Sequence, residues 1–144
     1  MSLITSIIKG HWNGFYEYDS IYEVTSSKST FRMVLDDLGE GRFNGKCIDL
    51  EGAVSNSKVA TIEGFMENSY ISFTKEYPTF FEKDENGNEI EIKSNPKPLL
   101  TYIGHYDWLS KTFEGTWEIL VDDETHKGGN MVVAGAGKWK MSKV

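Results

Sequence analysis

The sequence predicts an all-β fold: eight antiparallel strands in up-and-down (meander) order, closed into a barrel, with a short N-terminal cap and a projecting hairpin. Three observations carry this. Apolar and polar residues alternate through eight segments, the period of a strand with one dry face. A bulky apolar residue is followed two places later by glycine six times: Trp12/Gly14, Phe43/Gly45, Ile62/Gly64, Tyr102/Gly104, Phe113/Gly115 and Val133/Gly135. A spacing of two puts both members of a pair on one strand face. Glycine there marks the bends by which a sheet coils into a small barrel. Finally, no 3.6-residue period runs beyond a turn within Leu3 to Lys9.

The strands fall near 10–18, 30–36, 41–49, 58–66, 69–76, 99–107, 112–120 and 131–141. In the second, Phe31, Met33 and Leu35 face one way; in the third, Phe43, Gly45 and Cys47 do. The seventh sets Phe113, Gly115, Trp117 and Ile119 against Thr112, Glu114, Thr116 and Glu118. Short links, Asp37 to Glu40, Glu67 to Asn68 and Trp108 to Lys111, alternate with long ones, Asp19 to Ser29, Leu50 to Ser57, Tyr77 to Pro98 and Val121 to Asn130. In a meander all the long links lie at one end, which makes a mouth there and a floor at the other. Leu3, Ile4, Ile7 and Ile8 precede the first strand and are placed to cap the floor. Asn86-Gly87 signals a type I′ turn between Phe80 to Lys83 and Asn88 to Lys93, the projecting hairpin.

Composition bounds function. The 144 residues, 39% hydrophobic and 13% aromatic, fit one domain, 1–144, with a real core. A formal charge of −7 without a basic cluster disfavours nucleic acid. Nothing approaches a membrane span, and the opening residues lack a basic leader. Cys47, the lone cysteine, favours a reducing, cytoplasmic compartment and reads as a small buried hydrophobe. His11 and His105 fall on outward positions and His126 in a long link. No serine elbow, phosphate loop or zinc motif occurs, so no catalytic residue, metal or cofactor is expected and the chain reads as a non-enzyme. The acidic stretch Glu82 to Glu91 fails the calcium-loop pattern, because Glu89 holds the required glycine position.

Parity aims Tyr18, Asp49 and Lys75 inward near the mouth, with Tyr16 and Tyr102 a layer below and Tyr106 nearer the floor. Buried phenols need partners, so these predict a hydrogen-bonding network or a ligand. Asp49 and Lys75 are also placed to form an ion pair at the rim, which would contribute little if exposed. Glycines opposite Trp117 or Trp139 either make room for the indoles or hollow out a pocket that the indoles line.

Gly10-His11-Trp12 resembles the Gly-x-Trp signature of lipocalins, and Gly115-Thr116-Trp117, followed by a last strand with Trp139, is similar to the pattern of avidin-like barrels. The resemblance implies a calycin-like barrel that binds a small, partly apolar molecule in its cup. Lipocalins pair that first tryptophan with an arginine near the chain end; here the arginines are Arg32 and Arg42, and the last strand offers Lys138 and Lys140. The expected ligand-binding residues are Tyr16, Tyr18, Asp49, Lys75, Tyr102 and Trp117. The rival expectation is an inhibitor or immunity-like interaction module, using the acidic hairpin or the outward residues Phe15, Val34, Ile48, Phe65 and Ile103 against a protein partner or a second copy.

Overall fold

The computed structural model describes residues 7–19, 28–50, 59–77, 80–83, 85–92, 99–122 and 131–144. Eight long strands alternate as the sequence predicts: β1 (Gly10–Tyr18), β2 (Lys28–Gly39), β3 (Arg42–Asp49), β4 (Val59–Glu67) and β5 (Tyr70–Glu76), then, beyond the hairpin strands β6 (Phe80–Lys83) and β7 (Glu89–Ile92), β8 (Leu99–Asp107), β9 (Thr112–Asp122) and β10 (Met131–Lys143). They close into an antiparallel barrel in the order β1-β10-β9-β8-β5-β4-β3-β2, while β6 and β7 form a separate two-stranded sheet. Among the described residues no helix is long and apolar enough to cross a membrane.

Strand direction separates the two ends. The links 40–41, 68–69 and 108–111 close the narrow end, and those over 19–27, 50–58, 77–98 and 123–130 leave the wide end. Glu40 and Gly41 both take positive φ, 55° and 80°, as the tight β2–β3 turn requires. The residues of the predicted cap reach the narrow end in part. Ile8 is buried, its carbonyl accepts from the Trp12 indole at 2.9 Å, and the Ile7 carbonyl accepts from Lys143 Nζ at 2.9 Å. Leu3 and Ile4 lie outside the described residues. Lys143, rather than Lys138 or Lys140, covers the Trp12 ring, with Nζ 5.6 Å from its centroid.

Two local expectations need correction. β6 and β7 pair from Phe80↔Ile92 to Lys83↔Glu89, which leaves five residues between them. Of these, Gly87 takes positive φ (81°) and Asn86 does not, so the hairpin closes through a longer loop than a type I′ turn. Val133 and Gly135 also do not share a face: the β9–β10 register shifts between them, leaving Val133 exposed and Gly135 buried. A bulge inserts one residue and reverses the alternation beyond it.

Gly14, Gly45, Gly64, Gly104, Gly115 and Gly137 sit where a neighbouring strand comes close. Gly115 pairs with both Gly104 and Trp139, and Gly137 pairs with Trp117. A Cβ at Gly137 would stand 3.0 Å from the Trp117 indole nitrogen, and one at Gly104 would stand 2.9 Å from Trp139 Cζ2. At both positions the missing side chain makes room first for a main-chain carbonyl, that of Glu17 at Gly137 and of Glu114 at Gly104, and then for the indole. Each indole N–H then donates to carbonyls across the gap: Trp139 to Ile103 and Thr116 at 3.0 and 3.1 Å, Trp117 to Lys138 and Glu17 at 3.1 and 3.2 Å. Buried donors that find partners stabilise the fold instead of straining it.

Candidate functional site

A polar cluster occupies the barrel interior toward the wide end. The strand parity of β3 and β5 turns Asp49 and Lys75 inward, and they meet in an ion pair at 2.7 Å, each 2% exposed in its side chain. The pair is therefore buried, not at the rim: β3 ends at Asp49 and β5 one residue after Lys75, and the buried Tyr77 closes over them. Tyr77 donates its hydroxyl to the second carboxylate oxygen of Asp49. Lys75 Nζ lies 5.0 Å from the Tyr77 ring centroid, 5.2 Å from that of Tyr16, 5.8 Å from that of Phe31 and 5.9 Å from that of Tyr102. Ring faces are negative, so four of them around an ammonium stabilise its charge where water does not.

The aromatic side chains continue from there. Tyr16 and Tyr18 set their edges against Trp117 at centroid distances of 5.5 and 4.8 Å. Tyr102 stacks between Phe73 at 4.9 Å and Trp117 at 6.1 Å. All six residues predicted to line the cup thus converge in one cluster. Tyr77, Phe31 and Cys47, which are not among the expected ligand-binding residues, join them around Lys75. For Tyr77 the signal is present in the sequence: it extends the inward parity of Phe73 and Lys75 by one step, just beyond the end of β5.

Electrostatics fixes the protonation of the cluster. Burial acts most strongly on Lys75 and opposes its charge. Tyr102, Cys47, Tyr77 and Asp49 together outweigh it and hold the ammonium well above the usual lysine range. Burial, reinforced by the Asp49 charge, pushes the Tyr16 phenol up to about 12 against the opposing influence of Lys75 and a hydrogen bond with Ser29. Burial likewise raises Tyr77 and Tyr102, and pushes the Cys47 thiol up to about 11. The thiol is buried and behaves as the small core residue expected of it.

The rival surfaces are less convergent. The outward apolar residues spread over five strands: Val34 pairs with His11 and Lys46, Ile48 with Arg32 and Val59, and Phe65 and Ile103 flank Ser72. The side chains of β6 and β7 lie outside the described residues, as does His126. On the outer face of β8, β9, β10 and β1 an open depression of about 520 Å³ is framed by His105, Glu114, Lys138 and Lys140 over Gly115. Among the described residues no three His, Cys, Asp or Glu side chains group to hold a metal.

No family model, curated protein or solved structure matches the chain.

Proposed function

We propose that the chain is a non-enzymatic binder of a small, partly apolar molecule, taken up at the wide end of the barrel against Tyr16, Tyr18, Asp49, Lys75, Tyr102 and Trp117. The observation that carries this reading is a buried ion pair, with tyrosine hydroxyls around it, inside an otherwise apolar barrel. Apolar residues of similar volume often serve stability as well as a buried ion pair does or better, so stability alone is a poor reason for charge here. A recognition site is a good one, since ligand pockets combine apolar rings with a few fixed polar groups.

Architecture supports the same reading. An eight-stranded up-and-down barrel has an interior that side chains fill or that holds one small ligand, and lipocalin-like and avidin-like calycin barrels use the second option. Lys143 over the Trp12 ring gives that tryptophan a cationic neighbour from near the chain end, which supports the lipocalin-like reading with lysine in place of arginine. Fold does not fix function, so the weight rests on the cluster. Burial and neighbouring charges hold Lys75 cationic and Cys47, Tyr16, Tyr77 and Tyr102 protonated, so these groups can serve recognition as hydrogen-bond donors at neutral pH.

Thermal shift against a panel of lipids and aromatic metabolites tests the proposal. At least one compound is expected to raise Tm in the native chain and to lose that effect in Trp117→Ala. A panel without any stabilising compound, or stabilisation that Trp117→Ala leaves intact, counts against it.

A further inference from the structure

The Tyr102 hydroxyl lies close enough to Lys75 to act on its charge, yet it differs from its neighbours in its hydrogen bonding. Asp49 engages Lys75 with one carboxylate oxygen and Tyr77 with the other. Lys75 also stands beside Cys47 and Tyr77, and Ser29 beside Tyr16, close enough to act on the charge of each. Tyr102 is 2% exposed, and its hydroxyl makes no hydrogen bond among the described residues. Its ring stacks on Phe73 at an interplanar angle of 9° and on Trp117 at 22°, packing that orients the hydroxyl within the cluster. A buried donor without an acceptor is costly, and few native groups are left so.

The charge around it is already balanced. Asp49 neutralises Lys75 at 2.7 Å, so an added carboxylate or ammonium would enter the interior without a counter-charge. The rings with surface still open, Tyr16 and Tyr18, are half-buried and present aromatic edges beside Trp117. Resting on the binding function proposed above, we infer that the ligand is an uncharged aromatic molecule whose carbonyl-type oxygen accepts a hydrogen bond from the Tyr102 hydroxyl. The Tyr102 donor then completes its bonding only in the complex, and the free chain carries the cost of leaving it unmade.

Two readouts on Tyr102→Phe follow, and they move in opposite directions. The variant loses a buried donor for which the described residues supply no acceptor, so its Tm without ligand is expected to rise by about 2–5 °C. Binding is measured with three fragments of one size, acetophenone, ethylbenzene and benzoate, by ligand-observed NMR titration of the full chain. Acetophenone is expected to bind most tightly, and Tyr102→Phe to weaken it roughly five-fold while leaving ethylbenzene unchanged. Tighter binding of benzoate, or equal effects of Tyr102→Phe on acetophenone and ethylbenzene, overturns the inference and leaves small-molecule binding standing. Failure of all three fragments to bind overturns both. A lowered Tm in Tyr102→Phe overturns the inference by itself, because it shows the hydroxyl bonded in the free chain.

Discussion

Lys75 keeps an ammonium charge in the middle of a protein because its surroundings replace what water would supply: one carboxylate at 2.7 Å and four ring faces at 5.0–5.9 Å. The same enclosure makes the phenols of Tyr16, Tyr77 and Tyr102 hard to ionise, with burial the leading cause in each. All four groups hold their protons more tightly in the folded chain than in an unfolded one. The stability they contribute is therefore complete below about pH 10, where unfolded tyrosine and lysine begin to titrate, and is lost as pH rises through the folded-state values. Tyrosinate absorbance followed through an alkaline titration checks this. Of the seven tyrosines, Tyr16, Tyr77 and Tyr102 are expected to stay neutral until the chain unfolds and then to ionise together. Reversible ionisation of all seven near pH 10 in the folded chain would contradict it.

Among the strands, glycine and tryptophan act as pairs. Gly115 sits between Gly104 and Trp139 in the register, and a Cβ there would drive into the Ile103 carbonyl oxygen, which also accepts the Trp139 indole N–H. Gly115→Ala is expected to cost about 1–3 kcal/mol in urea unfolding, whereas Thr116→Ala, one step away on the outer face, stays within about 0.5 kcal/mol. Equal effects would show that the close approach is not needed. Much of this was legible in the sequence, because alternation and apolar-x-Gly spacing depend on period alone. What escaped depended on partners in other strands. The bulge between Val133 and Gly135 is a local slip of β10 against β9 that no periodicity records. The burial of Asp49 and Lys75 was hidden because two charged residues at strand ends resemble a solvated rim until Tyr77 is seen to extend the parity beyond them.

Taken as a whole, the barrel separates two jobs along its axis. The narrow end is sealed by Ile8, Trp12 and Lys143 through main-chain carbonyls, and Trp108 stands half-exposed in the last short turn. The wide end holds the charges and hydroxyls, and all the long links leave from it. The four tryptophans mark this axis: Trp12 at the floor, Trp108 outside it, Trp139 in the middle and Trp117 beside Tyr16 and Tyr18. Their indole N–H signals in a ¹H–¹⁵N correlation spectrum report which region a ligand enters. On titration with acetophenone the Trp117 signal is expected to shift while that of Trp12 stays in place. Shifts confined to Phe15, Glu114 and Lys140 on the outer face, or no shift at Trp117, would contradict a binding site within the wide end.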